Sequence, residues 1–341
     1  MFAAAAPAET LRIATWNAEL TRAGPGLLLR DIAGGKEAQV LAAVAMLAAL
    51  KADVILLTGV DYDHGLVALG ALDAATGGAY PHRFALRPNT GMATGLDLDG
   101  DGRLGGPRDA QGYGRFSGEG GMAVLSRLPI LADQARDFSA FLWRDLPGAL
   151  LPDMTADVLA VQRLPTTAHW EVPLALPGGQ TLRLLAWHAT PPVFDGPEDR
   201  NGRRNHDEAA FWLRLLAGQL PMPPPEGPFV LLGDANLDPA DGDGRREAML
   251  ALLAHPALQD PAPRGNSGRI EPGHAGDPAL DTADFSARDG PGGLRVDVIL
   301  PAAGLRVVAS GVLWPPPGDP LAPVAAAASR HRPVWVDLEV P

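Results

Sequence analysis

Apolar and polar residues follow one another along the chain in segments that predict strands and helices in turn. Residues 11–17 alternate between the two classes, which is typical of a strand. Residues 36–50 carry apolar side chains at helical spacing, and residues 54–57 form a short apolar strand. The order of strand, helix and strand indicates a layered α/β protein.

The rest of the chain continues without an internal repeat or a linker, which predicts a single domain over residues 10–341. Long irregular loops are expected at residues 89–121 and 261–293, and residues 305–308 are expected to pair with a strand at 295–300. The other predicted strands are 122–126, 158–164, 169–176, 181–188, 229–232 and 334–338, and the other predicted helices contain residues 211–216 and 246–253.

The composition indicates a globular protein and excludes several kinds of chemistry. The apolar share of 46% is sufficient for a large core. The absence of cysteine excludes disulfides, thiolate nucleophiles and zinc–thiolate sites. The formal charge of -12 argues against a broad electrostatic grip on nucleic acid, because such a grip requires a basic face.

Residues 1–9, MFAAAAPAE, are small and apolar, unlike a typical solvated chain start. The end of this segment resembles the cleavage region of a secretory signal peptide, which predicts a periplasmic or secreted protein. The alternative is a disordered alanine-rich terminus on a cytoplasmic protein. No later stretch reaches about 18 uninterrupted apolar residues, so membrane insertion is not expected.

Carboxylates and a carboxamide follow two of the predicted strands. Asp234 and Asn236 come after the strand at 229–232, and their spacing places both side chains on one side of the strand exit. Asp61 and Asp63 come after the earlier strand in the same way. Such groups are suited to holding a water molecule or a metal ion against a phosphate. Aspartate and asparagine are also common turn residues, so ordinary strand exits are the alternative.

The glycine-rich loop contains the start of a calcium-binding pattern. Asp97, Asp99 and Asp101 stand at alternate positions and are followed by Gly102, as in the first half of a calcium loop. The pattern then fails, because Arg108 occupies the twelfth position, where a bidentate glutamate is expected. The two alternatives are a structural calcium ion and a hydrogen-bonded aspartate turn.

A polar segment leads into the helix that contains residues 211–216. It carries Arg200, Arg203 and Arg204, and arginine side chains and helix-start amides are natural phosphate contacts. The alternative is a solvated and capped helix start. His188, at the end of the strand before this segment, is a candidate partner in the same phosphate site.

Four short motifs occur in order at predicted strand tips: Thr15-Trp16-Asn17, Gly233-Asp234-Ala235-Asn236, residues 295–299 and Ser329-Arg330-His331-Arg332. Together they resemble the endonuclease/exonuclease/phosphatase superfamily, in a bacterial and exported branch, over almost the whole chain. The resemblance implies an α/β fold of the DNase I-like type. This fold is a four-layer sandwich in which two mixed β-sheets pack face to face and helices flank them.

The resemblance also implies hydrolysis of a phosphate ester with a divalent metal, usually magnesium or else manganese. Such a reaction requires a directed water, neutralisation of charge on the phosphate and a proton for the leaving oxygen. The matching side chains are Asn17 at the metal and substrate, Asp234 and Asn236 for positioning the attacking water, His188 at the phosphate, His331 as the acid/base group and Asp297 as its orienting carboxylate.

Two positions depart from the family pattern, and both concern the metal. The family has a glutamate where this chain has Gly59, and an aspartate where this chain has Arg330. Loss of both carboxylates predicts a weakened or absent magnesium site. One hypothesis is that Asp61 or Asp63 replaces the missing glutamate. A second hypothesis is that Arg330 replaces the metal as the positive charge that contacts the phosphate.

Two functions follow from these observations. The first is a phosphoesterase, including a nuclease, that acts on a phosphorylated small molecule or a nucleic acid. The second is a catalytically silent protein that binds a phosphorylated ligand or a protein partner in the same cleft. The retained polar set at the strand tips favours the enzyme, whereas Gly59 and Arg330 favour the binding protein. The sequence does not predict an oligomeric state.

Overall fold

The structure is a computed structural model that describes residues 9–286 and 290–340. The strands are β1 (Glu9–Leu20), β2 (Val54–Val60), β3 (His82–Phe84), β4 (Gly121–Ser126), β5 (Arg136–Asp137), β6 (Ala168–Ala175), β7 (Thr181–His188), β8 (Phe229–Asp234), β9 (Ala283–Asp284), β10 (Gly293–Leu294), β11 (Asp297–Pro301), β12 (Arg306–Val312) and β13 (Val334–Val340). The helices are α1 (Leu27–Gly34), α2 (Ala38–Leu50), α3 (Val67–Ala75), α4 (Ala156–Val161), α5 (Arg200–Leu216), α6 (Glu247–Leu253) and α7 (Ala322–Ala328).

Two large sheets form the centre of the fold. The first sheet has six strands in the order β12-β13-β1-β2-β4-β3, and the second has five in the order β11-β8-β7-β6-β5. β1 runs parallel to β2 but antiparallel to β13, and β8 runs parallel to β7 but antiparallel to β11. Both sheets are therefore mixed. A separate ribbon pairs β9 with β10.

The sheets pack face to face, and helices cover their outer faces. Ile13 of the first sheet and Leu184 and Leu232 of the second belong to one buried cluster between the sheets. A second cluster joins the outer face of the first sheet to α1, α2, α3 and α7, and a third joins the other sheet to α5 and α6. Burial on both faces explains why a strand such as Val54–Val60 is apolar at almost every position. The four-layer α/β sandwich predicted from the sequence is confirmed.

Two predictions about local structure are wrong. Residues 158–164 were expected to form a strand but lie largely in α4, whose first turn is capped by the Thr155 hydroxyl accepting a hydrogen bond from the Val158 amide. β12 was expected beside β11 but pairs with β13 in the other sheet. The chain crosses between sheets after β11, which buries Val312 in the cluster between them.

The tips of strands from both sheets converge at one edge of the sandwich. Asp234, the last residue of β8, pairs with His188 of β7 on one side and with Asp297 of β11 on the other. β1 of the first sheet reaches the same place, where the Asn17 amide donates a 2.8 Å hydrogen bond to the Asp234 carboxylate. The fold therefore brings polar groups from distant parts of the sequence to a single point.

Most of the predicted N-terminal segment 1–9 lies outside the described residues, although Glu9 already belongs to β1 and pairs with Val340. In the described ranges, no single helix has the length and apolar character needed to cross a membrane. The helices α1 and α2 pass the same test only as a pair, and a 75° bend separates them.

Candidate functional site

Asp234 is the central group of the converging strand tips. Its side chain is fully buried. One carboxylate oxygen accepts a 2.8 Å hydrogen bond from the side-chain amide of Asn17 and lies 3.4 Å from the His188 Nε2 atom. The other oxygen accepts a 2.9 Å hydrogen bond from the backbone amide of Asn236. Asp234 thus lies beneath a rim of partly exposed side chains, Asn17, His188 and Asn236.

Asn236 is held in a conformation that few non-glycine residues adopt. Its φ angle is 52°, in the left-handed region, and its side-chain amide donates a 2.9 Å hydrogen bond to the carbonyl of Ala189. This bond joins the exits of β7 and β8. Because the amide nitrogen is used by the protein, the carboxamide oxygen of Asn236 is the group that remains for a water molecule or a ligand.

His331 and Asp297 form a buried pair next to Asp234. The His331 Nδ1 atom lies 2.8 Å from an Asp297 carboxylate oxygen, which leaves Nε2 for a ligand. The Thr282 hydroxyl donates a 2.9 Å hydrogen bond to the same carboxylate oxygen and accepts one from the Asp297 amide. Asp297 and Thr282 therefore fix the orientation of the imidazole ring. The sequence reasoning missed Thr282, because it stands in an irregular loop without a motif.

The buried carboxylates control the charge of His331. Burial by itself disfavours the imidazolium, but the charges of Asp297 and Asp234 outweigh it and raise the pKa of His331 to about 9. Burial and the neighbouring Asp297 charge raise the pKa of Asp234 above its ordinary value. Burial lowers the pKa of His188, so that ring is neutral at pH 7. The site thus holds one cationic and one neutral imidazole beside two carboxyl groups.

Glu19 is a site residue that the sequence reasoning missed. Its carboxylate accepts hydrogen bonds from the Arg330 backbone amide and Nε atom, each at 2.7 Å, and from the Arg330 Nη2 atom and the Ser329 hydroxyl. Asn17 and Glu19 are two positions apart at a strand end, and this spacing was a signal that both reach the same site. The charged group nearest to Arg330 is therefore a carboxylate of the protein itself.

The loop before β11 also contributes an aromatic ring to the site. Phe285 lies with its ring centre 5.5 Å from that of His331, in an edge-to-face arrangement, and the Arg330 guanidinium carbon lies 5.4 Å above the Phe285 ring. A bridge between Ala283 and His331 ties this loop to the C-terminal motif. Phe285 therefore supports both the imidazole and the guanidinium from one side.

Gly59 stands where the family resemblance predicts a glutamate, and the local backbone is irregular there. Its φ angle is 65°, and the pairing of β2 with β4 shifts register between Thr58 and Val60. A Cβ atom built on Gly59 would lie 2.4 Å from the Asn17 Oδ1 atom. The missing glutamate is therefore accompanied by a bulge that leaves no room for a side chain while Asn17 holds Asp234.

We expect Gly59→Ala to destabilise the protein more than the matched variant Gly35→Ala. Both glycines have left-handed φ angles, 65° and 60°, where a side chain costs about 1–2 kcal/mol. A Cβ atom at Gly35 meets nothing within 4 Å, whereas one at Gly59 displaces Asn17. Denaturant titration of both variants measures the difference in free energy of unfolding. Equal losses would show that Asn17 moves aside without cost.

The structure gives both Asp61 and Asp63 hydrogen-bond partners in the backbone. The Asp61 carboxylate accepts hydrogen bonds from the backbone amides of Arg22 at 2.8 Å and Gly120 at 3.0 Å. Asp63 accepts bonds from two amides in the first turn of α3, at 2.7 and 2.9 Å. Both carboxylates already accept hydrogen bonds from backbone amides, and their part as metal ligands stays a prediction.

The predicted basic strip is divided between the interior and the surface. Arg204 is buried, and it donates hydrogen bonds to the carbonyls of Leu164 at 2.9 Å and Gln111 at 2.6 Å, which is a structural role. Its prediction as a substrate-binding residue is therefore wrong. Arg200 and Arg203 are partly exposed and also contact neighbouring loops, and their part in substrate binding stays a prediction.

The predicted calcium loop closes around a different third carboxylate. Asp97 and Asp99 come together with Asp109, with ligand atoms within 4.8 Å of one another, and Asp101 is not in this group. Asp97 also accepts a 2.8 Å hydrogen bond from the Gly102 amide, as expected for an aspartate turn. A calcium ion at this loop stays a prediction, with Asp109 in place of Asp101.

Comparison with known proteins identifies the family. The model of the endonuclease/exonuclease/phosphatase family matches residues 14–331, which includes every strand tip described above. The chain belongs to this family. Members of the family are in general hydrolases of phosphate esters and typically use a divalent metal ion. No curated protein sequence matches the chain.

Solved structures of the family share the fold at low sequence identity. An endonuclease/exonuclease/phosphatase from Beutenbergia cavernae is 21% identical, with a TM-score of 0.55 over 97% of this chain and 72% of that one. A family protein from Bacteroides thetaiotaomicron is 13% identical, with a TM-score of 0.54 over 98% and 100%. Sphingomyelinase C from Streptomyces griseocarneus is 18% identical, with a TM-score of 0.52 over 96% and 99%. These similarities establish the fold.

The residues present do not fit a magnesium site of the family type. Gly59 and Arg330 stand at the two positions where the resemblance predicts carboxylates, and the nearby Glu19 carboxylate is bound by Arg330. Asp234, Asp297 and His331 do bring ligand atoms within 4.8 Å of one another. That group contains the His331 imidazolium, whose proton a divalent ion would have to displace from the ring nitrogen. Among residues 9–286 and 290–340, a catalytic step through a metal beside Asn17 therefore has no ligand set of the family type.

Proposed function

We propose that this protein hydrolyses a phosphate ester by direct attack of water in the cleft above Asp234. One observation carries the proposal: Asp234 and the His331–Asp297 pair lie together, buried, where the strand tips converge. A carboxyl group beside a cationic imidazole supplies a base and an acid within one site. Asn17 and His188 lie at the rim beside Asp234, and we assign them to the phosphate oxygens.

The reaction requires two proton transfers. A water molecule bound to Asp234 attacks phosphorus, and a new phosphorus–oxygen bond forms as the bond to the leaving oxygen breaks. The Asp234 carboxylate takes the proton of the attacking water, and the His331 Nε2 atom gives a proton to the leaving oxygen. Asp297 and Thr282 hold the imidazole in position while it changes charge. The neutral His188 contributes a hydrogen bond without a full charge.

The charge of the chain favours certain substrates under this proposal. A formal charge of -12 disfavours a long duplex, which binds proteins mainly through basic surfaces. A small phosphodiester or a short single strand requires only the local positive charges of the cleft. The substrate class that we propose is therefore a small or single-stranded phosphate ester.

A second function is favoured by a specific observation. The ion pair between Glu19 and Arg330 occupies the region where the family has metal ligands, and the pair cannot lower the pKa of a bound water as a metal ion does. A protein with such a cleft binds a phosphorylated ligand without turnover. Under this alternative the cleft recognises phosphate, and the Asp234 carboxyl has no catalytic part.

The two functions are distinguished by hydrolysis of bis(4-nitrophenyl) phosphate and of single-stranded DNA. Each substrate is assayed with magnesium, manganese or calcium and with a chelator, beside an Asp234→Ala control. We expect the wild-type protein to release product and the control to be slower by about 10²–10⁴-fold. Equal rates in both proteins would indicate a contaminating enzyme. Saturable binding of inorganic phosphate without any turnover would instead support the binding protein.

A further inference from the structure

The ion pair between Glu19 and Arg330 is built into the cleft by several independent contacts. The guanidinium donates from Nε and Nη2 to one Glu19 oxygen, and the Arg330 backbone amide donates to the other. The Ser329 hydroxyl lies 3.2 Å from this second oxygen and makes a shorter hydrogen bond, 2.7 Å, to the Asn17 carbonyl. Phe285 supports the guanidinium from below. A pair with this number of contacts has a fixed geometry, unlike a surface ion pair between two mobile side chains.

The backbone on both sides of the pair is shaped to form it. Glu19 has a φ angle of 49°, in the left-handed region, where a non-glycine residue costs about 1 kcal/mol or more. The pairing of β1 with β2 shifts register between Asn17 and Leu20, so the bulge lies at Glu19. Opposite this bulge lies Gly59 with its own left-handed φ angle. The irregular backbone at Glu19 brings its carboxylate to Arg330. The irregular backbone at Gly59 leaves no room for a side chain at that position.

Arg330 occupies both oxygens of the Glu19 carboxylate, so this carboxylate is not available to a cation near Asn17. The hydrogen bonds and the charge of Arg330 at the Glu19 carboxylate keep the pKa of Glu19 below its ordinary value despite burial. The Asn17 Oδ1 atom accepts a 3.2 Å hydrogen bond from the Glu19 amide. Within residues 9–286 and 290–340, the Arg330 Nη1 atom donates no hydrogen bond, and the side chain is 60% exposed. One edge of the guanidinium is therefore exposed to the solvent.

We infer that Arg330, clamped by Glu19, takes the place of a divalent metal as the fixed positive charge of this cleft. The free edge of its guanidinium binds a phosphate oxygen, and the same group excludes Mg²⁺ and Mn²⁺ from the oxygens of Asn17 and Glu19. The inference concerns the cation that the cleft holds, so it does not depend on whether the protein hydrolyses a substrate. A separate cavity of about 350 Å³ adjoins Glu19 and Arg330, and neither Asp234 nor His331 lines it.

We expect Arg330 to prevent metal binding beside Asn17 and Glu19, and we expect one substitution of Arg330 to create a metal site there. Arg330→Asp removes the clamp and adds a carboxylate beside Asn17 and Glu19, and one or two carboxylates are the usual protein ligands of Mg²⁺. Gly59→Glu is a poorer test, because its Cβ atom would collide with Asn17. Arg330→Met is the matched control, since it removes the cation without adding a ligand. Arg330 is exposed, so neither change threatens the core.

The experiment measures binding of MnCl₂ by electron paramagnetic resonance and of inorganic phosphate by calorimetry, with no substrate present. We expect wild type to bind no Mn²⁺ at Glu19, and Arg330→Asp to gain a site at least about tenfold tighter than any in wild type. Glu19→Gln in the Arg330→Asp background should abolish the gained site. Phosphate binding should weaken at least about tenfold in Arg330→Met and be unaffected by a chelator.

Three results would overturn the inference. The first is Mn²⁺ binding by wild type that Glu19→Gln abolishes. The second is no gain of Mn²⁺ binding in Arg330→Asp, because the guanidinium would then not be what excludes the metal. The third is phosphate binding that Arg330→Met leaves unchanged. Mn²⁺ sites that are equal in all variants belong to other carboxylates, such as Asp97, Asp99 and Asp109, and are subtracted with an Asp97→Asn background.

Discussion

Replacing Asp234 with alanine is expected to lower phosphodiester hydrolysis by about 10²–10⁴-fold, the range for loss of a positioned acid/base group. Asp234 accepts hydrogen bonds from the Asn17 side chain and the Asn236 backbone amide and faces His188, so its carboxylate is held where we propose that the attacking water binds. The loss should appear in kcat rather than in KM, because the proposed contact forms with the water and not with the substrate. Rates at saturating bis(4-nitrophenyl) phosphate measure it.

Two further variants separate chemistry from stability. Asp234→Asn keeps the size of the side chain and removes the base, so it should be nearly as inactive as alanine while remaining folded. Asp207→Asn is the matched control outside the site, since Asp207 is also fully buried and accepts hydrogen bonds from Trp143 and Leu150. It should lower the melting temperature and leave kcat within a few-fold. Substantial hydrolysis by Asp234→Asn would contradict the proposed base.

The second large effect is expected at His331. The raised pKa of His331, about 9, keeps the imidazole protonated at neutral pH, as an acid for the leaving oxygen requires. We therefore expect kcat to fall as the pH rises through about 9, and His331→Gln to lower kcat by about 10²–10⁴-fold. A rate profile in which kcat rises through pH 9 would contradict the assignment.

The same pKa shift predicts the pH dependence of stability. The folded protein holds the His331 proton more tightly than the unfolded chain, whose histidine pKa is about 6.5. The resulting stabilisation is fully present below about pH 6.5 and is lost as the pH rises through about 9. It amounts to at most about 3 kcal/mol.

Denaturant titrations of wild type and His331→Gln at pH 6 and pH 10 test this linkage. Wild type should lose more stability between these values than the variant does, because the variant lacks the titrating ring. Nuclear magnetic resonance of the His331 ring provides the pKa directly. An ordinary value near 6.5 would show that the charges of Asp234 and Asp297 do not control this imidazole.

Much of the fold was predictable from local pattern. Runs such as Val54–Leu57 and Phe229–Leu232 are apolar on both faces, and only a strand between two packed layers requires that. The secondary-structure and strand-pairing predictions were wrong where contacts between distant parts of the chain determine the structure. Residues 158–164 have strand-like composition, but a threonine cap and tertiary packing make them helical. The partner of β12 depends on which sheet the chain crosses to, and the strand sequence alone does not specify it.

The sequence by itself determined the family and placed Asn17, Asp234, Asp297 and His331 at strand tips, because polar groups that end apolar strands are visible as a pattern. Only the tertiary structure decided that Arg330 pairs with Glu19, 311 positions away, since long-range hydrogen bonds depend on how the two sheets meet. The tertiary structure also decided the direction of the backbone at Gly59. A bulge changes the direction in which the neighbouring side chains point. Glycine permits the left-handed φ angle of this bulge, but the presence of a glycine does not specify it.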